Sequence, residues 1–358
     1  MNFEYRAPRS IGAEFGQATR TGPLRSGDFV QITDPKGKLH TVVLTPGEIF
    51  QCARGRIRHD DLIGQPAAIT VEDGGRHFQI LRPRLADYVM SMPRGAAIIY
   101  PKDAGQIVAF GDIFPGARVL EAGVGSGGLT LFLLSAIGTG GELVSVDQRA
   151  DFATIAQGNV DLWFGGRHPA WTVKVGNFND VAYARKTESI DRVVLDMLAP
   201  WECLAAAEHV LVPGGIVLIY VATVTQLSRV REEIVRSGRF TPPEAWESSI
   251  RPWHLDGLAV RPTHRMVAHT GFLLMARKMA SHSQPHQRAS RPARAAEGKG
   301  GQWDGESGWS EHRELNPPVS GKKIRRSARG VISRAETLLD QHEQLSLEWK
   351  AQEEHSDN

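Results

Sequence analysis

The segment VLEAGVGSGGLT, Val119–Thr130, constrains this chain more than any other stretch of it. An apolar strand candidate, Arg118–Ala122, runs into a cluster of glycines, and the run Gly127–Ile137 that follows carries apolar residues at helical spacing. The chain must therefore turn sharply from strand to helix here. Gly123, Gly125 and Gly127 allow the backbone to turn and to approach a ligand without a Cβ in the way. Such a turn at the carboxyl end of a strand is at home in open α/β sheets, which bind ligands in the crevice beyond the strand ends.

The surrounding pattern agrees. Further strand candidates are Leu143–Asp147, Trp171–Val175, Arg192–Asp196, Ile216–Val221 and Phe272–Ala276. Between them Ala150–Trp163, Trp201–Val210 and Gln226–Ser237 show helical periodicity, and the VPGG turn, Val212–Gly215, stops one helix before the next strand. This alternation predicts a doubly wound, mostly parallel α/β sheet covered on both faces, over residues 85–280. Upstream, the short β-rich runs FVQI, TVVL, AAITV and FQIL, separated by DPKGK and EDGGR, predict a small β-domain over residues 23–84. Residues 1–22 read as a loosely held arm. After Met279 the composition turns to His, Gln, Ser, Arg, Pro and Gly, which predicts a largely disordered tail over 281–358. Within it, residues 331–350 regain a helical period and predict a short amphipathic helix that docks on a partner or on its own chain.

Composition excludes several classes. With 358 residues and 41% hydrophobic content the chain can fill a sizeable core, but it has no run of the roughly 20 apolar residues that cross a bilayer. The start MNFEYRAPRS lacks the apolar stretch of a secretory signal, so a cytoplasmic protein without membrane attachment is expected. Cys52 and Cys203 are the only cysteines and lie in no ligand spacing, so neither a disulfide framework nor a metal site is predicted. A net charge of +2 does not by itself point to nucleic acid. Any RNA contact must come from local patches: Arg54, Arg56 and Arg58 in CARGRIRHD, Arg82 and Arg84, or Lys322, Lys323, Arg325, Arg326 and Arg329. Each patch reads equally as a solvated face.

The glycine turn alone does not choose its ligand, because Gly123, Gly125 and Gly128 also satisfy the dinucleotide pattern G-x-G-x-x-G. Glu121, two residues before the first glycine, shifts the balance. A carboxylate there repels a pyrophosphate and attracts the ammonium of a methionine moiety, which favours S-adenosylmethionine over a nicotinamide dinucleotide. Asp147 closes the second strand, where an acidic side chain accepts hydrogen bonds from ribose hydroxyls in either ligand. In the fourth strand, DRVVLDMLAPW places Asp196 at the carboxyl end with Pro200 and Trp201 close behind. That combination can grip a flat base: the carboxylate accepts from an exocyclic amine and the aromatic limits its tilt. The plain alternative is an Asp that caps the next helix. Tyr100, in IIYPKDAGQIV, is a second candidate for the pocket wall.

The ordered blocks YPKDAGQIV, VLEAGVGSGGLT, LDMLAPW, ATVTQL and HTGFLLMARK resemble the tRNA (adenine-N1)-methyltransferases that modify adenosine 58 in the T loop, with the closest likeness to actinobacterial members. The resemblance covers about residues 25–280. It implies a class I methyltransferase domain behind a small β-domain, S-adenosylmethionine as cofactor, tRNA as substrate, a homotetramer of the bacterial type and no metal. Residue by residue it implies a cofactor loop of Glu121, Ala122, Gly123, Val124, Gly125, Ser126, Gly127, Gly128 and Leu129, with Asp147 on the ribose. Gln106 would lie against the cofactor, Asn177 and Phe178 would flank its adenine, and Asp196, also in contact with the cofactor, would be catalytic with Tyr100 beside the target base. The chain departs from the family pattern in having Asp147 where Glu is common and Asn177 where Asp is common. Arg54, Arg56 and Arg58 are the expected phosphate contacts. Competing readings are a methyltransferase for protein carboxylates or small molecules, a non-catalytic tRNA-binding subunit, and a nicotinamide-dependent oxidoreductase.

Overall fold

The structure, a computed structural model, describes residues 21–286 and 325–337. The arm expected over 1–22 falls outside these residues except at its end, as does most of the tail.

Short alternating segments build the first part. Strands β1 (Phe29–Thr33), β2 (Leu39–Val43), β5 (Ile69–Asp73) and β6 (Arg76–Leu81) form an antiparallel sheet in the order β2-β1-β6-β5. A hairpin of β3 (Ile49–Cys52) and β4 (Gly55–Arg58) packs beside it. Every second residue points inward, so Val30, Ile32, Phe78 and Ile80 meet Phe50 and Ile57 of the hairpin in one small core.

The second part is a seven-stranded sheet. Its elements run α1 (Leu85–Ser91), α2 (Pro101–Phe110), β7 (Arg118–Ala122), α3 (Gly128–Ile137), β8 (Glu142–Asp147), α4 (Ala150–Phe164), β9 (Trp171–Val175), α5 (Phe178–Tyr183) and β10 (Ile190–Asp196). Then follow α6 (Leu204–Val210), β11 (Leu211–Val221), α7 (Val224–Ser237), β12 (Glu244–Trp246), a hairpin of β13 (Trp253–Asp256) and β14 (Ala259–Pro262), and β15 (Phe272–Arg277). The spatial order is β12-β15-β11-β10-β7-β8-β9, with β11 through β9 parallel and β15 antiparallel to both its neighbours. Chain order reverses at β7, which has β8 on one side and β10 on the other. The crevice of a doubly wound sheet opens above that reversal.

Both faces of the sheet are covered, which is why its strands read as near-continuous apolar runs. Val119, Val194 and Leu218 face one core with Tyr88, Ile107, Leu131 and Val160 from α1 to α4. Leu120, Val193 and Val217 face the other, with Leu204, Ala207, Val230 and Ile234 from α6 and α7. Truncating any of these buried leucines to alanine would cost about 2–5 kcal/mol.

Local patterning left several elements unpredicted. Helices α1, α2 and α5 are only 7, 10 and 6 residues long. Edge strand β12 has 3 residues, and β13 and β14 form a separate hairpin. The VPGG segment is taken up into β11, with a register shift against β10 between Ile190 and Arg192. In the tail, residues 325–337 are helical, with Val331 and Ala335 buried against Leu162 and Phe29. This helix is present six residues before the predicted start, and the predicted continuation, 338–350, lies outside the described residues.

Candidate active site

The glycine turn is tied to the strands on both sides of β7. The Gly123 N–H donates to the Asp196 carbonyl at 3.0 Å and the Val124 N–H to the Val146 carbonyl at 3.2 Å. The Gly125 N–H donates to Asp147 Oδ2 at 2.9 Å. Gly127 adopts φ +82° at the start of α3, and a Cβ there would lie 3.2 Å from Ala156 of α4. Only glycine combines that conformation with that approach. Ser126 is buried between segments: its Oγ accepts from the Gly95 and Ala96 N–H groups, each at 3.1 Å, and its carbonyl accepts from Asn159 Nδ2 at 2.8 Å. Ala122, Val124 and Leu129 are buried in the sheet-and-helix core, and Gly128 abuts Ile98, so their part in the turn is its backbone and its shape.

Glu121 is 1% exposed. Its Oε2 accepts from Thr130 Oγ1 at 2.8 Å and from Ser145 Oγ, and Ser145 Oγ in turn accepts from Trp171 Nε1 at 2.9 Å. Its Oε1 is buried and finds no hydrogen-bond partner among the described residues. Burial pushes the Glu121 carboxyl up from 4.5 to about 7, against the pull of the Ser145 and Thr130 hydrogen bonds; the charges of Asp196 and Asp147 add to the rise. Asp196 is likewise pushed up to about 7, first by burial and then by the charge of Asp147. Asp147 spends one lone pair of each oxygen on backbone, from Gly125 N–H and Arg149 N–H, both at 2.9 Å. A carboxylate has further lone pairs, so ribose hydroxyls can still donate to it. Three carboxyls from three adjacent strand ends thus share one crevice. An orphaned, buried carboxylate oxygen beside a glycine cradle fits a ligand that brings its own ammonium and positive charge, as S-adenosylmethionine does.

Asp196 stands level with Tyr220 in the pairing of β10 with β11. The Tyr220 hydroxyl donates to the Thr270 carbonyl at 2.6 Å, and its pKa is pushed up to about 12 by burial, with Asp103, Asp196 and Tyr100 among the nearby groups that raise it. Tyr100 precedes α2 and is half-buried. The first turn of α2 is pinned by an ion pair 2.7 Å long, Lys102 Nζ to Asp103 Oδ1, in which both side chains are buried. Lys102 also donates to Thr270 Oγ1 at 2.6 Å and to the Ser248 carbonyl at 2.8 Å, while Asp103 accepts from Ser248 Oγ at 2.9 Å. Sequence reading missed Tyr220 and this cluster. Tyr220 was hidden in an apolar strand, and the cluster's partners are about 145 residues or more apart in the chain.

Gln106 is half-buried on α2. Asn177 is exposed and caps α5, its Oδ1 accepting from the Asn179 N–H at 2.8 Å, which leaves its amide free to donate; Phe178 beside it is buried in the core under β7 and β8. The three arginines of CARGRIRHD are not equivalent. Arg54 is bonded to the buried Asp34, and Arg58 pairs with Asp61 at 2.7 Å. Arg56 is exposed, with no ion pair among the described residues. Asp34, His40 and Cys52 place ligand atoms within 4.8 Å of one another, a geometry a metal ion could use, but the Arg54 guanidinium already neutralises Asp34, whose carboxyl is held at about 2. Burial pushes that carboxyl up, and the backbone bonds from Lys38 and Lys36 together with the Arg54 and His40 side chains more than offset it. No helix among the described residues is long and apolar enough to cross a membrane.

Comparison with known proteins gives the following likenesses. Residues 77–257 match the family described as tRNA methyltransferase complex GCD14 subunit, and residues 22–71 match TrmI-like N-terminal. The chain is 32% identical over 254 residues to the tRNA (adenine(58)-N(1))-methyltransferase TrmI of Thermus thermophilus, covering 69% of this chain and 95% of that protein. It is 29% identical to the tRNA (adenine(57)-N(1)/adenine(58)-N(1))-methyltransferase TrmI of Methanocaldococcus jannaschii, over 57% of this chain and 79% of that one. Among solved structures it is similar to the tRNA (m1A58) methyltransferase TrmI of Aquifex aeolicus, at TM-score 0.64 and 27% identity, covering 73% of this chain and 100% of the other. A SAM-dependent O-methyltransferase from Thermotoga maritima matches at TM-score 0.68 and 27% identity, over 75% of this chain and 98% of that one.

Proposed function

Because the chain belongs to the GCD14/TrmI family of tRNA methyltransferases, we propose that it transfers a methyl group from S-adenosylmethionine to N1 of adenosine 58 in the T loop of tRNA. The observation that carries the cofactor half is the buried, unpartnered Oε1 of Glu121 beside the tethered glycine turn. The substrate half rests on the family and on Asp196 with Tyr100 and Tyr220 nearby.

When bound, S-adenosylmethionine supplies an electrophilic methyl on a sulfonium, displaced in line by a nucleophile. N1 of neutral adenine already carries a lone pair, so the residues need not remove a proton first. Their work is alignment and exclusion of water. Glu121 holds the cofactor's ammonium, Asp147 accepts from its ribose, and the turn 123–129 fits its backbone, with Gln106, Asn177 and Phe178 bordering it. Asp196 accepts from the exocyclic amine of adenine. Charge that grows on the ring during transfer strengthens that hydrogen bond, so Asp196 stabilises the transition state more than the ground state. Tyr100 forms the wall against which the base rests. The reaction balances as a single displacement and calls for no metal.

The base must be drawn out of its tertiary contacts at a cost of a few kcal/mol, offset by phosphate contacts. Arg56 is the best placed of the three arginines, since Arg54 and Arg58 already serve Asp34 and Asp61. The protein works in the cytoplasm as a homotetramer. In support of assembly, the arm around β13 and β14 projects Ile250, Trp253, Leu255, Leu258 and Val260 into solvent, all more than half exposed. The direct test of the function is incubation with unmodified tRNA and labelled cofactor, followed by nucleoside analysis, for the parent enzyme and Asp196→Ala. Label in 1-methyladenosine, with the rate collapsed in the variant, is expected; a full rate in Asp196→Ala would overturn the assignment.

A further inference from the structure

Residues 325–337 lie beyond the stretches the family matches, 22–71 and 77–257, and their helix docks with Val331 and Ala335 against Leu162 of α4 and Phe29 of β1. Two contacts define the seat. Val331 packs on Gly158 of α4, where a Cβ would come within 1.8 Å of Val331 Cγ1. Glycine is a poor residue for a helix interior, and here it is what lets the second helix close to contact. Four residues before Val331, on the same helix face, Ser327 Oγ donates to the Arg94 carbonyl at 3.3 Å.

Both contacts adjoin groups that hold Ser126. Next to Arg94 are Gly95 and Ala96, whose N–H groups donate to Ser126 Oγ. Next to Gly158 is Asn159, whose Nδ2 donates to the Ser126 carbonyl at 2.8 Å and to the Pro93 carbonyl at 2.9 Å, while its own carbonyl accepts from the Tyr88 hydroxyl at 2.8 Å. Two residues earlier on α4, Ala156 backs Gly127. The helix face is amphipathic in the required sense: Val331 and Ala335 are buried, while Arg325, Arg326, Arg329 and Arg334 stay in solvent.

We propose that this helix braces the cofactor turn, with Val331 and Ser327 as positioning residues that act through Gly158–Asn159 and Arg94–Ala96 on Ser126. The brace fixes the turn in its binding shape, so cofactor binding and helix docking strengthen each other reciprocally. The inference rests on the cofactor reading above, and the test separates the two. In the full-length protein, S-adenosylhomocysteine binding is measured by calorimetry, hydrogen exchange is followed over residues 125–129 and 327–335, and methyl transfer is timed at saturating cofactor.

Gly158→Ala raises the helix propensity of α4 yet fills the space of Val331. Val331→Asp removes the apolar anchor from the other side. Each is expected to weaken S-adenosylhomocysteine binding roughly fivefold to tenfold, to speed exchange in the turn, and to leave the saturated transfer rate unchanged. Combining Gly158→Ala with Val331→Ala, which removes the methyl 1.8 Å away and leaves the Cβ at 3.0 Å, is expected to recover part of the affinity lost in Gly158→Ala. Parent-like affinity in Val331→Asp would overturn the proposal whatever the helix does, as would a failure of the double variant to recover. A parent protein that binds no S-adenosylhomocysteine would instead count against the cofactor reading itself.

Discussion

Replacing Glu121 by glutamine sets stability against function. In the free protein this carboxyl titrates near 7 instead of 4.5. Between those values the folded protein keeps a proton that the unfolded chain has lost. Stability contributed by the protonated carboxyl is therefore fully present below pH 4.5 and is lost as pH rises through about 7. The loss amounts to about 3 kcal/mol by pH 8, taking about 1.4 kcal/mol for each pH unit between the two values. Glutamine keeps the shape, can accept from Thr130 and Ser145 through its amide oxygen, and never ionises. Glu121→Gln is thus expected to match the parent protein at pH 4.5 and to exceed its stability by about 3 kcal/mol at pH 8, on the order of 5 °C in Tm. It is also expected to lose a charge-assisted contact to the cofactor's ammonium, weakening S-adenosylhomocysteine binding by roughly tenfold to a hundredfold. Thermal melts at the two pH values and calorimetric titration at pH 8 read both effects. A variant that is less stable than the parent at pH 8, or that binds the cofactor product equally well, would contradict this role of Glu121.

Asp196 leads to a related expectation: kcat/KM for the cofactor should rise with pH through about 7 as its carboxyl ionises. Asp196→Asn should lower transfer by about a hundredfold and flatten that rise; a parent profile level from pH 6 to 8.5 would contradict it. Arg56→Gln should weaken tRNA binding and reduce its salt slope by about 1, whereas Arg54→Gln should lower the Tm by stripping the buried Asp34 of its guanidinium partner. Binding isotherms at several salt concentrations and melting curves separate the two arginines. Trp253→Ser with Leu255→Ser should yield a smaller species in light scattering, and an unchanged mass would remove the arm from the assembly.

What the sequence revealed was governed by range. The strands of the parallel core were readable because their residues are buried on both faces, so Val119 and Leu120 are apolar for opposite reasons and the run stays continuous. Gly127 was readable because a positive φ and a close neighbour both forbid a side chain. The acidic residues at the ends of β7, β8 and β10 were readable because parallel strands deliver their carboxyl ends to one edge. Contacts between distant segments were not readable. Ser145 and Trp171, which hold Glu121, carry no local mark of that role, and Asp34 was an ordinary turn residue until Arg54 met it 20 positions on. The tail helix was read partly: its period ran through Ile332 and Ala335, whereas the residues that dock are Val331 and Ala335; the arginine-rich residues before them gave no apolar signal, and Gly158 gave no hint that it was the seat.

The proposed reaction is a methyl transfer to one nitrogen of one nucleotide. The most direct measurement maps the methyl group by mass spectrometry on an unmodified tRNA transcript and on the same transcript with guanosine in place of adenosine 58. One methyl on N1 of adenosine 58 is expected in the first and none in the second; methylation elsewhere, or equal incorporation in both, would contradict the assignment.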